Sequence, residues 1–147
     1  MKLIIMRHGQ AGWNAVSDAQ RPLTQYGQKE VSLTAGKLKG LGVNRVLASP
    51  YLRAQQTGEI VAAVLGCDME TLECITPNGS PLEAVNALPE SGTVLLASHM
   101  PLVSAMTGLL CDGNERSGPG FATANAAVLE MEIPGIGLAT LLEVVGP

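Results

Sequence analysis

The chain has 147 residues, of which 46% are hydrophobic and 15% are charged, and its formal net charge is −4. This length predicts a single globular domain over residues 1–147 with room for one substantial core. The negative charge and an aromatic content of 3% argue against a nucleic-acid surface, which needs many cationic contacts or a platform of aromatic rings.

The cysteines and the N-terminus bear on the compartment. Cys67, Cys74 and Cys111 are odd in number and widely separated, a spacing that fits neither a disulfide framework nor a metal site. It favours a reducing, cytoplasmic location. The N-terminal apolar run, residues 3–6, is too short for a signal peptide or a membrane span, so we expect no membrane association.

Strand-like apolar runs alternate with helix-like segments along most of the chain. In chain order, the predicted elements are a strand over 2–6, a loop over 9–23, a helix from 24 to about 41, a strand over 45–48, a helix over 52–65, a weak strand over 69–72, a turn over 77–81, a short helix over 82–88, a strand over 93–98, a helix over 101–111, a glycine-rich loop over 112–120 and a hairpin of strands over 126–133 and 138–145.

Capping residues set several of these bounds. Thr24 is placed as an N-cap, Gly42 and Gly66 as helix stops, and Pro101 at the first position of the last helix. Because strands and helices alternate, the pattern predicts an α/β fold, a three-layer α/β/α sandwich with a mostly parallel sheet. The C-terminal hairpin makes that sheet mixed.

The two histidines of the chain stand at equivalent places. His8 follows the apolar run of the first strand, and His99 follows that of the strand over 93–98. Ligands of α/β proteins bind beyond the carboxyl ends of parallel strands, so we expect both imidazoles to face one pocket. A lone histidine there is usually an ordinary polar residue. Two of them, with Arg7 directly before the first, favour a catalytic site.

Arginines complete a predicted anion site. Arg7 lies beside His8, and Arg53 lies in the first turn of the helix over 52–65, from which its guanidinium can reach back over the strand ends. Guanidinium groups bind phosphate oxygens in a bidentate way. Arg53 taken alone fits a solvated helix face equally well, but its spacing from residues 49–50 favours the site. The pattern predicts a phosphoryl site with no metal and no cofactor.

In this chain four segments resemble the histidine phosphatase superfamily, the phosphoglycerate-mutase-like proteins. They match its Arg-His-Gly signature, its Ser-Pro-x-x-Arg-Ala-x-x-Thr segment, its Ser-His motif and its Leu-Thr-x-x-Gly motif, and they lie at residues 3–9, 49–57, 98–99 and 23–27. The resemblance implies a phosphoglycerate-mutase-like fold. It also implies that His8 is a nucleophile forming a phosphohistidine intermediate, and that Arg7, Arg53 and His99 form the phosphate pocket.

Within the superfamily the chain is most similar to the short SixA-like branch of phosphohistidine phosphatases. Residues 17–24 and 98–103 resemble that branch's Ser-Asp-x-x-Arg-Pro-Leu-Thr and Ser-His-x-Pro-Leu-Val segments. The resemblance implies that Arg21 faces the phosphate, although Arg21 fits a residue that only pins the loop equally well. Asn14, which stands where the mutases have a Trp-Asn pair, and Met100, which follows the second histidine, are further candidates for substrate contact.

A general acid for ester cleavage is missing from its usual places. Ester-cleaving members of the superfamily carry an aspartate after the second histidine, where this chain has Met100, or a glutamate on an inserted segment. The stretch between Arg53 and Thr93 leaves little room for such an insertion. Glu83 is the best remaining carboxylate, although an exposed charge at a helix N-terminus describes it better.

Without a strong acid in the enzyme, the substrate needs a good leaving group. The imidazole of a phosphohistidine is one when its ring is protonated. We therefore expect a metal-independent phosphatase that removes phosphate from phosphohistidine on a protein, such as a histidine-phosphotransfer-type domain of a phosphorelay. The alternatives are a phosphomonoesterase of small phosphorylated molecules and a non-catalytic phosphate-binding module. The intact His8 argues against the binding module, which has no need of a nucleophile.

We predict that Glu83→Gln leaves hydrolysis of a phosphohistidine protein within a few-fold of wild type, because a protonated imidazole needs no carboxyl proton to leave. If Glu83 were a general acid for esters, its loss would cost roughly 10²–10⁴-fold on alkyl phosphates. Steady-state assays on both substrates measure this. A large defect on phosphohistidine, together with efficient wild-type turnover of alkyl phosphates, would favour the phosphomonoesterase.

Overall fold

A computed structural model describes residues 1–147 as one six-stranded sheet with four α-helices and one short 3₁₀ helix. In chain order the elements are β1 (Lys2–Arg7), the 3₁₀ helix (Asp18–Gln20), α1 (Gln25–Lys37), β2 (Arg45–Ala48), α2 (Leu52–Leu65), β3 (Asp68–Thr71), α3 (Pro81–Asn86), β4 (Thr93–Ser98), α4 (Leu102–Asp112), β5 (Ala126–Glu130) and β6 (Thr140–Val145). None of the helices has the length and apolar character needed to span a membrane.

The sheet is mixed, as the sequence predicts. Its strand order is β3-β2-β4-β1-β5-β6. The first four of these strands pair in parallel, whereas β5 runs antiparallel to β1 and pairs with β6 in the C-terminal hairpin. The α/β class is thereby confirmed.

Two hydrophobic clusters cover the two faces of the sheet. In β1, Leu3 and Ile5 pack into the cluster that contains α3 and α4, whereas Ile4 and Met6 pack into the cluster that contains α1 and α2. All four side chains are fully buried. A strand covered on both faces carries a continuous apolar run, which explains the uninterrupted runs of residues 3–6 in β1 and 94–97 in β4.

The topology opens a crevice between β1 and β4. These strands are neighbours, but the helix after β1 packs on one face of the sheet and the helix after β4 packs on the other. The two connections diverge at the carboxyl ends of the strands, and such a divergence is the usual ligand site of an open α/β sheet. His8 and His99 each lie one residue beyond these strand ends.

Several predicted element ends are wrong. α1 ends at Lys37 instead of about Leu41, because the backbone turns at Gly40, whose φ is +90°, a conformation that favours glycine. The hairpin strands are shorter than predicted. Between them, the N–H groups of Gly137 and Ala139 donate to the carbonyls of Leu109 and Leu110, and so satisfy the C-terminal end of α4 rather than β5.

The remaining differences are small. β3 covers Asp68–Thr71, α3 covers Pro81–Asn86, and α4 begins at Leu102, directly after Pro101. By contrast β2, α2 and β4 have the predicted bounds, and Gly66 ends α2 in the left-handed conformation with φ +72°.

A close approach at Gly27 fixes the loop that follows β1. Thr24 caps α1 by accepting a hydrogen bond from the Gly27 N–H at 2.9 Å, and its own N–H donates to the Gln10 carbonyl. A Cβ at Gly27 would collide with that same Gln10 carbonyl, and one at Gly9 would lie 2.6 Å from the Gly27 oxygen. The two glycines therefore let the chain beyond His8 lie directly on the first turn of α1.

We predict opposite effects for Gly27→Ala and Gly36→Ala in this one helix. Gly27→Ala should lower the free energy of unfolding by about 1–3 kcal/mol through overpacking, and it should reduce activity by displacing His8. A Cβ at Gly36 has no neighbour within 4 Å, so Gly36→Ala should raise stability by about 0.5–1 kcal/mol. Urea denaturation measures both, and equal shifts would contradict the close-approach argument.

Candidate active site

Strand register brings the candidate residues together. Arg7 pairs with Ser98 across β1 and β4, and Ala48 pairs with Ala97 across β2 and β4. The hydrogen-bond ladder continues past the strand ends, because the His8 N–H donates to the Ser98 carbonyl at 2.9 Å. His8, Ser49 and His99 therefore stand at neighbouring positions on three adjacent strands, and the imidazole centroids are 5.1 Å apart.

Two hydrogen bonds define the tautomer of His8. Its Nδ1 lies 2.7 Å from the Gly9 carbonyl oxygen, and its Nε2 lies 3.3 Å from Nε of Arg53. A carbonyl oxygen only accepts and a guanidinium nitrogen only donates. The proton of neutral His8 is therefore on Nδ1, and the lone pair of Nε2 points toward Arg53.

The loop carrying His8 is held from α2 as well. The Gly9 N–H donates to Thr57 Oγ1 at 3.2 Å, and the Thr57 hydroxyl donates to the Arg53 carbonyl at 2.8 Å. The Gly9 peptide, which orients the His8 ring, is thus tied to the helix that carries Arg53.

Arg53 is buried, with 5% of its surface exposed. Besides its contact with His8, Nη1 donates to the Asp18 carbonyl at 2.7 Å and Nη2 pairs with Asp18 Oδ2 at 3.2 Å. The guanidinium therefore joins the histidine to the loop between β1 and α1.

His99 is almost fully buried and is oriented by residues of the β2–α2 connection. Its Nε2 is hydrogen-bonded to Ser49 Oγ at 2.7 Å, and the Tyr51 ring packs edge-on against it at 5.1 Å between centroids. Its Nδ1 is buried and has no hydrogen-bond partner within the protein.

Arg7 is the last residue of β1 and directly precedes His8. Its Nη1 donates to the Phe121 carbonyl at 2.8 Å, and its Nε is buried without a partner. Burial lowers the pKa of Arg7, and the nearby Glu30 carboxylate counters that effect. Glu30 itself accepts hydrogen bonds from the Gln10 N–H and the Thr123 hydroxyl.

Both histidines are neutral at physiological pH. Burial, together with the charges of Arg53, Arg7 and Arg21, lowers the pKa of His8 to about 4, although the hydrogen bond with the Gly9 carbonyl acts in the opposite direction. Burial, followed by the neighbouring His8 and Arg53, lowers the pKa of His99 to about 3. A neutral imidazole has the free lone pair that a nucleophile needs.

Arg21 pins the loop between β1 and α1. Its Nε donates to the Gly12 carbonyl at 2.9 Å, Nη1 pairs with Asp18 Oδ1 at 3.1 Å, and its guanidinium stacks 3.5 Å from the Trp13 ring centroid. Its charge also lowers the pKa of His8, and its contact with a phosphate stays a prediction.

Three of the predicted site residues make no polar contact with this cluster. Asn14 is exposed on the loop, and Met100 is half-buried against the core that contains α4. Glu83 is exposed in the first turn of α3, where its N–H donates to Ser80 Oγ. No hydrogen bond or ion pair joins the Glu83 carboxylate to the histidines or arginines, so its role as an acid stays a prediction.

Sequence reasoning missed five residues that shape the site. They are Asp18, Glu30, Ser49, Tyr51 and Thr57. Ser49 and Thr57 were visible only as parts of the Ser-Pro-x-x-Arg-Ala-x-x-Thr motif. For Glu30 the signal is a charged residue on the apolar face of α1, beside Val31. Asp18 was visible only as part of the Ser-Asp-x-x-Arg-Pro-Leu-Thr segment. For Tyr51 the chain offers no signal, because its partner His99 is distant in sequence.

The groups left free in the cluster suit an anion. The unpartnered buried atoms are a guanidinium nitrogen of Arg7 and a ring nitrogen of His99, next to the lone pair of His8. No three His, Cys, Asp or Glu side chains converge on one point. The larger cavities lie elsewhere; one of about 380 Å³ is lined by Thr107, Cys111 and Leu141 among others. The candidate site is therefore a cationic cluster outside these larger cavities.

Comparisons with known proteins agree with this geometry. A family model for the histidine phosphatase superfamily, branch 1, matches residues 3–76. The chain is 40% identical over 146 residues to the phosphohistidine phosphatase SixA of Escherichia coli K12, covering 93% of this chain and 89% of that protein. It is 38% identical over 126 residues to a SixA homolog of Haemophilus influenzae, covering 75% of this chain and 77% of that one.

Solved structures give the same result. The protein histidine phosphatase SixA complexed with tungstate superposes with a TM-score of 0.88 at 35% identity, over 100% of this chain and 97% of that one.

We predict that stability falls as the pH drops from 7 to 5. Both histidines have folded-state pKa values below the ordinary 6.5, so below pH 6.5 the unfolded chain binds protons that the folded chain does not. The stabilisation that the two neutral histidines contribute is fully present above pH 6.5. It is lost as the pH falls toward their folded-state pKa values. We expect a loss of about 2 kcal/mol per histidine between pH 7 and pH 5.

Urea denaturation of wild type and of His8→Gln across this range measures the effect. Because the chain has only two histidines, the variant should lose about half of the pH dependence. A wild-type unfolding free energy that does not change between pH 7 and pH 5 would contradict the assigned pKa values.

Proposed function

The chain belongs to the histidine phosphatase superfamily, and on that basis we propose that it is a phosphohistidine phosphatase, a hydrolase that removes phosphate from phosphohistidine on a protein. The observation that carries the proposal is the state of His8. Its ring is neutral, its Nδ1–H is held by the Gly9 carbonyl, and its Nε2 lone pair faces the Arg53 guanidinium. This is the arrangement required of a nitrogen nucleophile beside a phosphate-binding group.

In the first step, Nε2 of His8 attacks phosphorus, and the bond from phosphorus to the leaving nitrogen breaks. The electron pair of that bond returns to the leaving nitrogen. His8 then carries the phosphoryl group on Nε2 and a proton on Nδ1, so its ring is cationic. The Gly9 carbonyl stabilises that cation through the Nδ1–H hydrogen bond.

The phosphoryl oxygens are stabilised by the cationic and donor groups around His8. Arg53 and Arg7 supply guanidinium donors. When the Ser49 hydroxyl donates to Nε2 of His99, the proton of this second imidazole lies on the unpartnered Nδ1. That Nδ1–H then donates to a phosphoryl oxygen, and the contribution is largest where charge accumulates in the transition state.

In the second step water attacks phosphorus, and the bond from phosphorus to Nε2 breaks. The electron pair returns to Nε2, inorganic phosphate leaves with the oxygen of the water, and the surplus proton passes to solvent. His8 regains the neutral Nδ1–H tautomer, and the cycle closes without a metal.

The chemistry of the leaving group supports phosphohistidine over a phosphate ester. Transfer from one imidazole to another breaks and forms the same kind of bond, so the first step is nearly balanced in free energy. When the phosphohistidine ring is protonated on its second nitrogen, its imidazole leaves in the neutral form. No carboxylic acid has to protonate it, in keeping with Met100 at the position where an aspartate would stand.

The surroundings of the site support a protein as the substrate. The loop between β1 and α1 exposes Trp13 at 81% and Val16 at 93% of their surfaces, and Trp13 stacks on Arg21 beside the site. Large apolar groups at the rim of the site suit contact with a partner protein. We propose a histidine-phosphotransfer-type domain of a signalling phosphorelay as that partner. The unpaired Cys67, Cys74 and Cys111 support a cytoplasmic location.

We predict that ³²P-phosphohistidine protein transiently labels the wild-type chain on Nε2 of His8. The label should be acid-labile and base-stable, and it should be absent in His8→Gln. His99→Gln serves as the matched control, since it should slow labelling while leaving the label on His8. Rapid quench followed by peptide mapping measures this.

Label on another residue, or a His8→Gln variant with near-normal turnover, would overturn the assignment. A panel of phosphate esters tested in parallel examines the substrate class. Faster turnover of alkyl phosphates than of phosphohistidine protein would replace the proposal with a phosphomonoesterase.

A further inference from the structure

Asp18 places a negative charge inside the cationic site. Its Oδ2 pairs with Nη2 of Arg53 at 3.2 Å, its Oδ1 pairs with Nη1 of Arg21 at 3.1 Å, and its carbonyl accepts from Nη1 of Arg53 at 2.7 Å. The Asp18 side chain nevertheless remains 57% exposed. The carboxylate is thus fixed by two arginines and is still accessible from solvent.

This carboxylate and the nucleophile contact the same guanidinium. Nε of Arg53 donates to His8 Nε2, and Nη2 of the same group donates to Asp18 Oδ2. A phosphoryl group bound by Arg53 and attacked by His8 therefore lies next to the Asp18 carboxylate. The charge of Asp18 also reaches the second imidazole, that of His99.

The Asp18 carboxyl group is ionised and carries no proton. Although desolvation acts in the opposite direction, hydrogen bonds from Arg21 and Arg53 hold the pKa of the Asp18 carboxyl below its ordinary value. It is therefore not a proton donor for a leaving alkoxide. Glu30, the other carboxylate near the site, is buried and already accepts hydrogen bonds from Gln10 and Thr123.

A fixed carboxylate beside a phosphoryl site discriminates between substrates. It repels the dianion of a phosphate ester, which brings no compensating charge. A phosphohistidine protonated on its free ring nitrogen brings a cationic N–H on the leaving imidazole, across the ring from the phosphoryl group. Only this second class of substrate donates a charge-assisted hydrogen bond to the carboxylate, which offsets the repulsion.

We propose that Asp18 recognises the leaving imidazole by accepting a hydrogen bond from its free ring N–H, and so selects phosphohistidine over phosphate esters. This rests on the proposed function. As the bond from phosphorus to the leaving nitrogen breaks, the electron pair returns to that nitrogen and the ring leaves neutral. Its other nitrogen keeps the proton throughout, still bonded to Asp18, so Asp18 neither gains nor loses a proton.

Asp18→Asn tests this, because asparagine keeps the shape of the side chain and removes the charge. We expect kcat/KM for a phosphohistidine protein to fall about 10- to 100-fold, the usual effect of losing a hydrogen bond to a charged group. On p-nitrophenyl phosphate kcat/KM should rise, and inhibition by orthophosphate should tighten, since the repulsion is gone. Asp18→Glu should retain part of the preference for phosphohistidine.

Glu70→Gln is the control, because it removes an exposed ion pair with Arg45 that lies away from the site. It should leave kcat/KM unchanged for both substrates. Circular dichroism melting of each variant checks that the fold is intact.

Opposite changes on the two substrates would support the inference. A parallel loss on both would show that Asp18 only positions the arginines, and a parallel gain would show that it only repels anions; either overturns the inference and leaves the proposed function standing. Wild-type enzyme inactive on phosphohistidine protein would overturn the proposed function itself, and this inference with it.

Discussion

The parallel pairing of β1 with β4 is the constraint on which the rest of the site depends. With Arg7 opposite Ser98, the residues that follow the two strands stand side by side, and both are histidines. A slip of one residue would turn each strand's side chains to the other face of the sheet. Both faces of both strands pack in separate cores, so such a slip would force each side chain into a core packed for its neighbour. The hydrophobic core thereby determines the distance between the imidazoles.

Burial of this pair among arginines has electrostatic consequences that favour phosphoryl transfer. Taking His8 and His99 out of water keeps them uncharged, and the guanidinium groups reinforce that state. In the proposed reaction the same guanidinium groups bind the anion. Each hydrogen bond of His8 then has a counterpart: the Gly9 carbonyl stabilises the cationic phosphoimidazole, and Arg53 holds the group that is transferred. The stability lost at low pH is the other consequence of keeping two neutral histidines buried.

The Asp18 carboxylate explains how a site of this charge can select its substrate. Arginines alone would bind phosphate esters, phosphoramidates and inorganic phosphate with little preference. In the role proposed for it, the carboxylate fixed between Arg21 and Arg53 weakens all of these except the one whose leaving group carries a cationic N–H. A fixed anion among the arginines is thus consistent with an imidazole leaving group.

The sequence by itself determined the fold class and the bounds of β2, α2 and β4, and it predicted the four site residues Arg7, His8, Arg53 and His99, which the fold places at neighbouring strand ends. These depend on local signals: apolar runs, capping glycines, and motifs that follow strand ends. Where a local signal competed with distant contacts the prediction was wrong, as in the hairpin, where α4 takes the N–H groups of residues 137 and 139. The strand order, the tautomer of His8, and the contacts of Ser49 with His99 and of Asp18 with Arg53 were decided only by the tertiary structure. The partners in these two contacts lie 50 and 35 residues apart, and no pattern along the chain records which distant side chains the two cores bring together.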